Sequence, residues 1–193
     1  MDTHSEDVQV KIITNDILDF MEGMLKENAE RATVILGCAR LEYTLEKLLK
    51  KLMINNPEGE DNLFDSDHPL SSFSSKISLS YRFGLIDHGF DKALHMIRRI
   101  RNDFAHSMEN LNLLESRNRN RLNEAVNLAK KDHAWEELKS LRTEIVTNMR
   151  KSDEFANLCI VIALMIMRLE VLILCVNSYE IETMPASFEL NAE

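Results

Sequence analysis

Glycine and proline are scarce, with five and three in 193 residues. These two types punctuate most tight turns, so the chain has little means of making the many reversals of a sandwich or barrel. With 45% hydrophobic residues, it favours long helices around one core, enough for a single domain without staples. Cysteine is scarce too. Cys38, Cys159 and Cys175 sit in apolar helical patterns, with no Cys-x-x-Cys pair and no Cys/His cluster. That spacing argues against a zinc site or a disulfide framework and fits reduced, buried thiols of a cytoplasmic protein. No metal and no cofactor is expected. Trp135 is the single tryptophan, and no set of aromatics and carboxylates surrounds it of the kind a sugar site needs.

Positive charge is also in short supply. The formal net charge is −9, which disfavours a general DNA binder, because duplex affinity rests on neutralising phosphates. The basic residues are clustered, however. From Arg98 to Lys131 there are eight Lys or Arg and four Asp or Glu, a local +4 that leaves −13 for the rest. A basic island in an acidic chain is a local anion-binding prospect.

Long apolar runs are rare. The first residues, Met1 to Asp7, are acidic and polar, unlike a secretory signal. Phe155 to Val176 alone is long enough to span a bilayer, but it carries Asn157, Arg168 and Glu170. A charge at mid-membrane costs about 2.5–3.5 kcal/mol on insertion scales. A helix buried within the protein, away from any membrane, is therefore expected. Being apolar on all sides, it needs a central bundle position, a dimer interface, or both.

What is present is helical periodicity. Residues 6–26 place Val8, Ile12, Ile17, Phe20, Met21, Met24 and Leu25 on one face. Residues 28–54 carry Val34, Cys38, Leu41, Leu45, Leu48 and Leu52 at alternating steps of four and three, with Asn28 as the N-cap and Asn55-Asn56-Pro57 as the stop. Arg40, Glu46, Lys47 and Lys50 are expected to face water, with Glu46 and Lys50 an i,i+4 pair. Glu42 falls at the edge of the apolar stripe, where a carboxylate needs a cation such as Arg101 or Arg98, or a route to solvent.

An acidic loop over 55–69 follows, from which Leu63-Phe64 is expected to tuck back onto the core. Ser71 or Ser72 caps a short helix through Phe83 that aligns Leu70, Phe73, Ile77 and Tyr81, and Gly84 supplies its stop. The serines there, with Lys76, form a candidate anion site at a helix N-terminus. Capping alone is the competing role. After a polar connector from Ser107 to Ser116, a helix over Arg117–Asp132 is expected. A second follows through Trp135, Leu138, Leu141, Ile145 and Met149. The last helix runs from an Asp153 cap to about Glu180, and residues 184–193 form a frayed tail. The expected fold is thus an all-α bundle of six or seven helices in a single domain.

The segment Leu94 to His106 organises the rest. Leu94, Ile97, Ile100 and Phe104 form a buried stripe that Arg101 joins through its stem, while Arg98, Asn102 and His106 lie in one outer row beside Arg99. Arg101 and His106 are five residues apart, about 140° around a helix. A kink after Asn102 or a second copy of the chain is needed to bring them together.

The run Arg101-Asn102-Asp103-Phe104-Ala105-His106 resembles the R-x4-6-H signature of HEPN domains. Pro69-Leu70-Ser71-Ser72-Phe73-Ser74-Ser75-Lys76-Ile77, Gly84-Leu85-Ile86 and Ile97 to Ser107 are similar to the core of the mannitol operon repressor family, over roughly residues 28–107. The HEPN resemblance implies a homodimer and a metal-independent endoribonuclease. In it His106 moves a proton, Arg101 stabilises the phosphorane-like transition state, and Asn102 orients the substrate or the histidine. The mannitol operon repressor resemblance implies a negative transcriptional regulator. No helix-turn-helix pattern accompanies it, so contacts with a protein partner, a ligand or RNA are expected rather than direct DNA reading. Candidate binding residues are Arg98, Arg99, Glu42, Ser71, Ser72 and Lys76.

Overall fold

The computed structural model describes residues 3–26, 29–54, 62–107 and 111–177. Its elements are α1 (Thr3–Lys26), α2 (Glu30–Leu52), α3 (Phe73–Arg82), α4 (His88–His106), α5 (Ser116–Ala129), α6 (Ala134–Glu137), α7 (Lys139–Thr147) and α8 (Asp153–Cys175), with a 3-10 turn at Asn62–Phe64. Seven helices exceed eight residues, α6 is a single turn, and no strand occurs among the described residues. The all-α bundle read from the composition is what forms.

Local chemistry sets the helix ends. The Ser72 side chain caps α3 by accepting from the Ser75 amide at 3.0 Å. At the other end Gly84 takes a left-handed φ of 71°. Its amide donates to the Tyr81 carbonyl at 2.9 Å and the Leu85 amide to that of Ser80 at 3.0 Å, closing the helix as a Schellman motif. Ser152, not Asp153, caps α8: its side chain accepts from the Phe155 amide at 3.1 Å. Asp153 becomes the first helical residue and pairs with Arg142 instead. Ala29 occupies the cap position of α2 without a side-chain bond. Asn28, the acidic stretch 55–61 and the tail 184–193 lie outside the described residues.

The most apolar helix takes the central place. α8 packs on α1, α2, α5 and α7, and residues from Phe155 to Ile166 are nearly all buried. It is long and apolar enough to cross a membrane, yet 61% of its most apolar window is buried by the other helices. It ends at Cys175, earlier than the periodicity suggests. Its approach to α2 is close because Gly37 lacks a side chain. A Cβ there would stand 2.5 Å from Ile162 Cδ1.

The two charges inside α8 determine what lies beside it. Glu170 is 5% exposed and accepts from Lys47 Nζ at 2.9 Å, with Arg40 at 3.6 Å. Arg40 also pairs with Asp16 of α1 and stacks over Phe20 and Tyr43. Arg40 and Lys47 therefore turn inward rather than to water, since a buried carboxylate must be matched. Glu46 also departs from the solvated-face reading. It keeps its pair with Lys50 at 2.7 Å but is drawn to Lys76 as well.

Other departures follow from where the core ends. Among the described side chains of α1, Ile17, Met21 and Met24 are buried while Val8 and Ile12 are exposed, because α8 covers one part of that helix. Phe64 tucks under Leu49 and Leu70 as a small second cluster, whereas Leu63 stays outside. Tyr81 and Met149, expected inward, are exposed. The helix expected through Trp135 is broken at Leu138 into α6 and α7.

Candidate functional site

Asp87 starts α4 by accepting from the Phe90 amide at 2.7 Å. Ala93, Leu94, Ile97, Ile100 and Phe104 then form a buried stripe against α2, α3 and α5. The helix runs unbroken to His106, where the Ser107 amide donates to the Asp103 carbonyl at 3.1 Å. No kink follows Asn102, so the two ends of the Arg101–His106 motif stay on different sides of one helix.

Arg101 points into the bundle. Its Nη2 donates to Glu42 Oε2 of α2 at 3.3 Å. The other Glu42 oxygen accepts from Lys76 Nζ at 3.3 Å, and Lys76 also reaches Glu46 at 2.9 Å. Lys76 is 4% exposed; held between two carboxylates, it has little left to offer a ligand. Burial works to raise the Glu46 carboxyl, but hydrogen bonds from Lys50 and Lys76 outweigh it and hold the group below its ordinary range. Next to this network burial pushes the Cys38 thiol up to about 12, too high for a nucleophile at neutral pH.

His106 is exposed on the far side. With Asn102, Ser107, Ser116 and Arg117 it lines an open groove of about 640 Å³, whose acidic members are Asp103 and Glu115. Asp103 is engaged with Arg121 of α5 at 2.6 Å. Arg101 does not line this groove. Arg117 does, a residue that spacing arguments confined to the motif could not single out.

Between these two regions stands an outer row of α4 containing His95, Arg98, Arg99, Asn102 and His106. Arg98 Nε is buried without a hydrogen-bond partner. Burial lowers the Arg98 pKa, as do Arg99 and Arg101, the nearby charges of the same sign. Arg99 is exposed. Burial also lowers the His95 pKa; Asp91 at 3.6 Å opposes the shift and Arg98 and Arg99 add to it. Two like-charged guanidinium groups on one ridge, one of them partly buried, favour an anion.

The remaining candidates lie elsewhere. Ser72 is occupied as the α3 cap and its hydroxyl also meets that of Ser75 at 2.7 Å. Ser71 donates its amide to the His68 carbonyl at 3.1 Å. Among the described residues no three His, Cys, Asp or Glu side chains group to hold a metal ion. Compared with family models, curated proteins and solved structures, the chain matches none, so the HEPN and mannitol operon repressor resemblances rest on the residues that carry them.

Proposed function

We propose that the chain is a non-enzymatic negative regulator of the mannitol operon repressor kind, acting by contact with an anionic partner rather than by reading DNA. The observation that carries this is the division of α4. Arg101 is committed to Glu42 on the bundle side, while Arg98 and Arg99 on the outer row meet no carboxylate among the described residues. Within a single chain, chemistry with Arg101 and His106 would need both aimed at one point. Here α4 aims them apart and leaves a cationic ridge available.

Heparin-agarose tests the ridge. Despite the net charge of −9, the protein is expected to be retained at low salt, and Arg98→Gln/Arg99→Gln to flow through. Flow-through of the wild type contradicts the reading. So does a gel shift showing tight, sequence-specific, salt-dependent binding to a duplex operator.

The groove favours one second reading. Asn102, His106 and Arg117 line it together, so an endoribonuclease could draw its arginine from α5, or Arg101 from a second copy. His106→Ala and Arg117→Ala, which touch no buried pair, separate these cases from the binding reading in an RNA cleavage assay.

A further inference from the structure

A second cavity lies on the other side of α4, at the end remote from His106. It measures about 350 Å³ and is enclosed by the first turns of α4, the end of α5 and the middle of α8. Its walls are apolar. Ala93, Leu164 and Met165 are each 3% exposed, and Phe90 and Leu128 pack against the same core. Gly89 keeps the cavity open, since a Cβ there would stand 3.2 Å from Asp87 Oδ1 and 3.8 Å from Leu128 Cδ2. Pockets for small organic ligands typically combine such walls with a few placed polar groups.

Four charged residues line the mouth: Asp87, Lys131, Asp132 and Arg168. Asp132 is saturated. Both of its oxygens accept from Arg168, through Nε at 2.6 Å and through Nη2, and Oδ1 also accepts from the Ala134 amide at 2.9 Å. That arrangement holds the Asp132 carboxyl below its usual range, the Arg168 hydrogen bond outweighing burial. Asp87 caps α4 through Oδ1, its charge set against the positive end of that helix. Two cationic groups are left over. Arg168 has its Nη1 edge outside the Asp132 pair. Lys131 is exposed and joined to no carboxylate among the described residues.

We propose that this cavity binds a small monocarboxylate with a hydrocarbon body. The chain of the ligand occupies the space between Phe90, Leu128 and Met165, and its carboxylate meets Lys131 and the free edge of Arg168. Met165 suits such a role, because an unbranched thioether adapts to ligands of differing shape. The site is independent of the outer row of α4 and stands or falls separately from it.

Titration of the full chain with sodium octanoate, followed by methyl NMR, tests the proposal. Octanoate is expected to shift the Leu164 and Met165 methyl signals and to raise the melting temperature. Lys131→Glu should weaken binding several-fold, and Gly89→Leu should abolish it, with each variant melting as a cooperative unit in the absence of ligand. Octylamine should bind more weakly than octanoate. Octylamine binding at least as well, no shift at Leu164 and Met165, or octanoate binding unchanged in both variants would each overturn the proposal.

Discussion

Arg101 Nη2 lies 3.3 Å from Glu42 Oε2, joining α4 to α2 and fixing the arginine of the Arg101–His106 motif on the side of the helix away from His106. The contact belongs to a chain of charges running Arg101, Glu42, Lys76, Glu46 and Lys50 across three helices. Each member removed strands another that is partly or wholly buried. Glu42→Ala should cost about 1–3 kcal/mol in urea unfolding, the penalty for leaving partly buried donors unmatched. A double-mutant cycle with Arg101→Ala should give a coupling of about 0.5–3 kcal/mol. Additive single effects would show that the pair does not hold the helices together.

Gly37 sits in the interior of α2, where alanine is ordinarily better by about 1 kcal/mol. Here the packing overrides propensity. The added methyl would meet Ile162 Cδ1 at 2.5 Å and Cγ2 at 3.3 Å, with Met24 Sδ at 3.4 Å, and Ile162 is fully buried. Gly37→Ala should destabilise by about 1–3 kcal/mol. Gly37→Ala/Ile162→Val, which removes the nearest atom, should lose less than the sum of its parts in the same unfolding assay.

Acid should weaken the fold in two windows. His95 has a pKa lowered from 6.5, burial being the largest cause. Its folded form prefers to be neutral, so its contribution is complete above 6.5 and is lost as pH falls through the depressed value. Asp132 is lowered from 3.8, chiefly by Arg168; its contribution is present above 3.8 and disappears further into acid. Chemical denaturation across pH should therefore show stability declining below 6.5. His95→Gln should flatten the upper window, and Asp132→Asn should reduce the lower one, to which the lowered Glu46 carboxyl also contributes. Stability rising as pH falls from 6.5 would contradict the assignment.

Thiol chemistry should separate the three cysteines. Burial pushes Cys38 and Cys159 up to about 12, whereas Cys175 is exposed at the end of α8. Native protein treated with iodoacetamide should take up one label, at Cys175, with the other two reacting only after unfolding. Native labelling of Cys38 would place an opening between α2 and α4.

Much of the architecture is legible from local rules. Ser72 and Gly84 act through neighbours within a few residues, so sequence alone gives the stop at Gly84 and narrows the cap to Ser71 or Ser72. The buried stripe of α4 is legible too, because periodicity encodes one face directly. The failures are long-range. Glu170 draws in Lys47 and Arg40 across more than a hundred residues of sequence, and nothing in the pattern of α2 marks those two as partners of a buried carboxylate. Arg168 was visible as a charge inside an apolar run, but its partner Asp132 and the cavity beside them depend on how α5 docks. At the motif the wheel geometry of α4 separates Arg101 from His106 without any structure. That Arg117 enters the groove of His106 required the packing of α5 on α4.

The most direct measurement is an RNA cleavage assay in EDTA with purified wild type, Arg101→Ala and His106→Ala, each checked for cooperative unfolding. If α4 is a binding ridge with an architectural arginine, RNA stays intact with all three proteins and only Arg101→Ala loses stability. Cleavage by the wild type, abolished in both folded variants, would make the motif catalytic and contradict the binding account.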